Sequence, residues 1–256
     1  MRELLTQSRS LHADETPIRV KGYVNAHVHV AASATATLFH VAGRKKEDIL
    51  AGGILGDYKG TLVSDDLVSY WSVTPAECKH QTCIAHLIRY CKGRHKDFLP
   101  NTGNTPHPVP QFEQLHLLLS KLIHEKNSSR VSVAPIAQTE RLLAECLTAL
   151  DTQADSVTVR KAKTLCRRLS RHLETGDLYR FLTDPTIPPT NNEAERALRP
   201  AKVKQKRSGT FQSLAYARSY ALVNSYLDTA RKNGKDPTWA LKQALAGTPY
   251  IPDHKT

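Results

Sequence analysis

The sequence predicts an α/β fold in which strands come first, a long helical block follows, and further helices close the chain. Three observations carry this reading. Apolar Val24, Ala26, Val28 and Val30 alternate with polar Asn25, His27 and His29, the period of a half-buried strand. From residue 111 to about 182 leucines recur at helical spacing, as Leu115, Leu118, Leu119 and Leu122 do. Pro185, Pro188 and Pro189 then interrupt that pattern before the last helices.

In chain order, Asp14 falls just before the first strand and residues 17–42 read as strands. The run Y-V-N-A-H-V-H-V is followed, after a short Ala/Ser link, by T-A-T-L-F-H-V-A as its hairpin partner. Residues 44–52 form a short helix ended by Gly52 and Gly53, and G-T-L-V-S-D-D is a brief strand running into two acids. A second short strand lies near 78–82, ahead of a helix over about 83–93 that stops at Gly93. Residues 94–110 combine prolines and asparagines without periodicity and form a loop. The helical block continues through Leu142, Leu143, Cys146, Leu147 and Leu150, then Leu165, Leu169 and Leu173. A short helix begins near Asn191, and a basic, extended stretch covers 202–207. Two helices follow at roughly 213–232 and 237–246, the second with Asp236 as N-cap and Pro237 at the first helical position.

Composition narrows the function classes. The 256 residues are 40% hydrophobic and 23% charged, enough chain and apolar content to bury a core. No apolar stretch approaches the ~18 residues a membrane helix needs. The opening M-R-E-L-L-T-Q-S-R-S lacks the apolar run of a secretory signal. Five cysteines, an odd number, fit reduced thiols in a cytosol better than a disulfide framework. The formal charge of +12 is unevenly placed: residues 1–66 hold eight basic and eight acidic side chains, so the whole excess follows residue 66. A basic remainder of that kind points to a polyanionic partner, most simply nucleic acid.

Three acids stand out as candidates for chemistry: Asp14 in H-A-D-E-T, Asp65 in L-V-S-D-D, and Glu195 in T-N-N-E-A-E-R. Carboxylates from strand ends and a helix can converge on a hard divalent cation, which prefers oxygen ligands. Asp65 and Asp66 are adjacent, so they point to opposite sides and cannot easily serve together. Glu193 stands three residues after Thr190, the spacing of a capping box, which gives it a structural task. The bland alternative for Glu195 is an exposed pair with Arg199 one turn on. Cys83 and His86 have the spacing of half a zinc site, but no matching half occurs elsewhere. A packed cysteine and a hydrogen-bonded histidine are the better reading, and no zinc is expected.

Four blocks, H-A-D-E-T-P-I-R-V, G-T-L-V-S-D-D-L-V-S-Y, H-Q-T-C-I-A-H-L-I-R and P-P-T-N-N-E-A-E-R-A-L-R-P, resemble in this order the insertion sequence 66 family of bacterial transposases. The tails R-S-G-T-F-Q-S and D-T-A-R-K-N-G-K-D-P-T-W-A-L are also similar to that family, while the helical middle matches loosely. The resemblance implies a catalytic domain of the type named for two aspartates and a glutamate, on a ribonuclease-H-like core. That core is a mixed sheet with flanking helices, carrying a large all-helical insertion between its second and third acids. The implied parts are 1–93 for the first part of the core, 94–185 for the insertion and 186–256 for the closing part. The implied catalytic and metal-holding residues are Asp14, Asp65 and Glu195, with two Mg²⁺ (or Mn²⁺) ions. Cys83 and His86 resemble a supporting C-x-x-H element, and Asn191 and Asn192 belong to the third motif. Arg199, Lys202, Lys204, Lys206 and Arg207 would contact DNA phosphates. Asp66 falls where the family more often has glycine or another residue. Asp14 comes soon after Met1, whereas family members carry a long N-terminal region, so the chain resembles the C-terminal catalytic part.

The resulting expectation is a transposase catalytic domain that cleaves and joins DNA strands, partnered by transposon ends, target DNA and further copies of itself. It would work in the bacterial cytoplasm, on the nucleoid and without a membrane. The rival is a non-catalytic remnant that binds DNA or sibling subunits.

Overall fold

The computed structural model describes residues 1–99, 107–125 and 134–252. The chain divides into two units, Met1–Lys79 with Asn191–Thr256, and His80–Thr190. The first unit is therefore built from both ends of the chain.

Its N-terminal half holds α1 (Arg2–Thr6), β1 (Ser10–Pro17), β2 (Arg19–Val20), β3 (His27–Ala32), β4 (Thr37–Ala42), α2 (Lys46–Leu50), β5 (Thr61–Ser64), α3 (Val68–Val73) and the start of β6 (Lys79–Thr82). All of these strands but β2 make a mixed sheet in the order β4-β3-β1-β5-β6. β1 runs antiparallel to β3 and parallel to β5, and β3 pairs antiparallel with β4, the hairpin expected from the alternating run. The second unit carries α4 (Ile84–Asp97), α5 (Gln111–Glu125), α6 (Ala134–Asp151), α7 (Val157–Glu174) and α8 (Arg180–Thr183). The chain then returns to the first unit with α9 (Asn192–Ser208), β7 (Thr210–Phe211), which pairs with β2, then α10 (Leu214–Lys232) and α11 (Pro237–Leu245).

Period-2 alternation sorts the sheet residues between two buried faces. Val28, Val30, Phe39 and Val41 pack under Ala194, Ala197, Leu198 and Ala201 of α9 and Ala217 and Ala221 of α10. Leu11, Ala13, Ala31 and Leu62 face the other way, onto Leu5, Ile49, Tyr70 and Val73 of α1 to α3. Alanines on α9 and α10 let both helix backbones come close to the strands. Along the sheet margin α10 also bonds to β4 directly. The Thr37 and Phe39 amides donate to the Thr229 and Ser225 hydroxyls at 3.0 and 2.8 Å, so side chains occupy the outer hydrogen-bonding positions of β4. The second unit has its own core, in which Leu87, Phe112, Leu119, Leu142, Leu165 and Leu169 are central. All five cysteines are buried thiols.

Several expectations are corrected. Asp14 lies inside a strand, not before one, because its neighbours Leu11 and Ala13 bury on one side while His12 and Thr16 bury on the other. Val24 is 82% exposed and Asn25 has φ of +59°, so the alternating strand begins only at His27. Gly93 does not stop α4, which continues to Asp97, since an interior glycine costs a helix only ~1 kcal/mol. Helix α4 belongs to the second unit. Part of the expected 94–110 loop, residues 100–106, lies outside the described residues. The stretch 202–207 is helical rather than extended: Ala197, Leu198 and Ala201 anchor α9 on both sides of Pro200, and the helix ends only at Gly209, at φ of +68°.

Candidate active site

The site begins with strand register. β1 and β5 pair in parallel as far as Ala13 with Ser64, so Asp14 and Asp65 are the next residues of each chain segment. Oδ1 of Asp14 accepts the Glu15 amide at 2.8 Å, and Oδ1 of Asp65 accepts the Leu67 amide at 3.2 Å. Burial, then the neighbouring charge of Asp65, pushes the Asp14 carboxyl up to about 7. Burial, then the charge of Glu15, pushes Asp65 up to about 6. Asp66 is buried beside them and adds to the pressure on Asp65.

Glu15 is the member that sequence reasoning missed. Its Oε1 accepts Arg44 Nε at 3.0 Å and its Oε2 accepts the Tyr70 hydroxyl at 2.6 Å. Tyr70 is wholly buried, and burial followed by the Glu15 charge raises its hydroxyl well above the usual phenol range. It therefore stays a proton donor. Strand alternation puts Glu15 on the face away from Asp14, and the local signal for it is the pair of adjacent acids, D-E.

The third element arrives through Asn191, the buried residue ahead of α9. Its Nδ2 donates to the Ala13 carbonyl at 2.8 Å, leaving Oδ1 as acceptor 3.1 Å from Nδ1 of His12. His12 must then carry its proton on Nδ1. Burial lowers this imidazole to about 4, so it is neutral near pH 7. The Glu195 amide donates to the Asn191 carbonyl at 3.1 Å, one turn beyond this attachment. Lys202 is seven residues further along α9, and its charge favours ionised Asp14. Residues four and seven apart share a helix face. Glu195 thus stands on the face defined by Asn191, which grips β1, and Lys202, which acts on Asp14. Glu193 is not in a capping box with Thr190: the N-cap is Asn191, and Glu193 pairs with Lys232 of α10 at 2.9 Å.

A family model described as the IS66 family of transposases matches residues 1–219. The chain belongs to that family. Over 68 residues this IS66 family member is 41% identical to the uncharacterized protein y4qI of Sinorhizobium fredii (strain NBRC 101917 / NGR234). That match takes in 27% of the chain and 13% of the relative, so the chain spans well under two thirds of y4qI. No solved structure matches.

The remaining expected residues of the IS66 chain lie on two helices. Arg199, Lys202, Lys206 and Arg207 are exposed on α9, while Lys204 is half-buried with its ammonium 4.5 Å from the Phe211 ring centre. Asn192 is exposed at the start of α9. Cys83 is the buried N-cap of α4, and His86 is half-buried in its first turn, 6.3 Å ring to ring from Tyr90. No helix among the described residues is long and apolar enough to cross a membrane.

Proposed function

We propose that this chain is the catalytic part of a transposase, performing metal-dependent DNA strand cleavage and strand transfer on a ribonuclease-H-like core. The observation that carries the reading is the placement of Asp14 and Asp65 at neighbouring positions on two parallel strands, each with a carboxyl raised by burial and nearby charge. Such a pair is costly without a cation. Their all-oxygen donor set fits Mg²⁺ or Mn²⁺ rather than a softer ion. Asp14, Asp65 and Glu195 would hold the metal. When bound, two such ions would supply positive charge to the attacking and leaving oxygens of a phosphodiester.

The protein's own part is positioning. Asn191 sets the start of α9 against β1, and Glu15, held by Arg44 and Tyr70, fixes the charge beside Asp65. Lys202 and the exposed cations further along α9 would receive DNA phosphates, and DNA is the proposed partner. The test is nicking of a labelled duplex with Mg²⁺ or Mn²⁺. Wild-type protein should cut and Asp65→Ala and Glu195→Ala should not. Equal nicking by all three would overturn the assignment.

A further inference from the structure

The second unit contains a cleft of about 600 Å³ between α4 and α7, outside the acidic site. Its lining includes Arg89 and Arg94 from α4 and Arg160, Lys161 and Arg168 from α7, with no acidic residue. The sequence pattern explains the convergence. Lys161 and Arg168, seven residues apart, share one face of α7, and Arg160 flanks that face. Arg89 and Gly93, four apart, share one face of α4, and Arg94 flanks it.

Two of these cations have partners: Arg94 pairs with Asp97 at 2.8 Å, and Arg160 with Asp155 at 2.7 Å. Arg168 lies over the Tyr90 ring, 5.0 Å from its centre, which takes that aromatic face out of use for a base. Arg89 and Lys161 have no acidic partner among the described residues. The floor is shaped as well as charged. Gly93 lines this cleft and a neighbouring one that it shares with Arg89, Lys92 and Lys96, and a Cβ placed on it would meet nothing within 4 Å. The glycine has no positive φ to require it. What its missing side chain leaves is room for a ligand to approach the helix backbone.

We propose that this cleft binds the sugar–phosphate backbone of duplex DNA, giving the helical unit a DNA contact separate from α9. Cationic groups in a lining that holds no acidic residue, Arg89 and Lys161 among them without an acidic partner, match phosphate oxygens, and the covered Tyr90 ring favours backbone over unstacked bases. That the occupant is DNA rests on the proposed function.

The test is an anisotropy titration of the full chain against a random-sequence duplex in EDTA at several salt concentrations, so that no cleavage enters. Arg89→Gln/Lys161→Gln should lower the slope of log affinity against log salt by about 1.8, two phosphate contacts at ~0.9 each. Gly93→Glu, which projects a carboxylate into open space and removes a poor helix former, should weaken binding at least about tenfold with an unchanged circular-dichroism spectrum. Unchanged slope and affinity in both cleft variants would overturn the inference, as would poly-glutamate displacing DNA at a lower charge concentration than unlabelled duplex does. Loss of nicking with binding intact bears only on the catalytic reading.

Discussion

At the scale of single residues, the carboxyl pair sets a pH dependence whose sign is fixed. Asp14 and Asp65 hold their protons to about 7 and about 6 in the folded protein, against 3.8 for an ordinary aspartate. The folded state therefore binds protons that the unfolded state has released. The contribution is full below about pH 4 and is lost as pH rises through 6 to 7. The metal-free melting temperature should fall over that window, as scanning calorimetry can measure. Asp65→Asn should flatten the fall. In wild type at pH 8, Mg²⁺ should raise the midpoint by binding the folded state alone, and Asp65→Asn should abolish that rise. A separate test addresses Tyr70: Tyr70→Phe removes the only buried hydroxyl donating to Glu15 Oε2 among the described residues. The expected cost is about 1–3 kcal/mol in urea unfolding, because the carboxylate loses a buried partner.

Elements show what could be read from sequence and what could not. The β3–β4 hairpin and the leucine-patterned helices α5, α6 and α7 were legible because their apolar periodicity is local. α11 announced itself through Asp236, whose side chain accepts the Trp239 amide. β1 was hidden. Its polar residues His12, Asp14 and Thr16 sit on a strand covered on both faces, so the pattern of a half-exposed strand does not apply. Asn191 belonged to a recognisable motif, yet its attachment to Ala13 spans 178 residues and nothing local encodes it. Asp14 and Asp65 were named from sequence, but Glu15, Tyr70 and Arg44 were not, because that hydrogen-bonded trio joins three separate elements. Asn191→Ala should leave the His12 ring N–H and the Ala13 carbonyl short of a partner. The expected loss is about 1–3 kcal/mol of stability, and a larger fractional loss of nicking than Tyr70→Phe causes.

For the whole molecule, a charge of +12 concentrated after residue 66 would, on the proposed function, make salt the main control on DNA affinity. Replacing Lys202, Lys206 and Arg207 by Gln should reduce the salt slope by up to about 2.7 in the same titrations. If the slope stays put, α9 does not carry the phosphate contacts. The division of the chain has a further consequence, which lies in biosynthesis. The hydroxyls that occupy the outer bonding positions of β4 come from Ser225 and Thr229, which follow their partners Phe39 and Thr37 by 186 and 192 residues. At ~5–20 residues per second, a ribosome needs roughly 10–40 s to deliver them. Throughout that interval the nascent sheet presents an unguarded rim to other strands, and the intervening helical unit can fold first. The growing chain is most exposed to mispairing before α10 emerges.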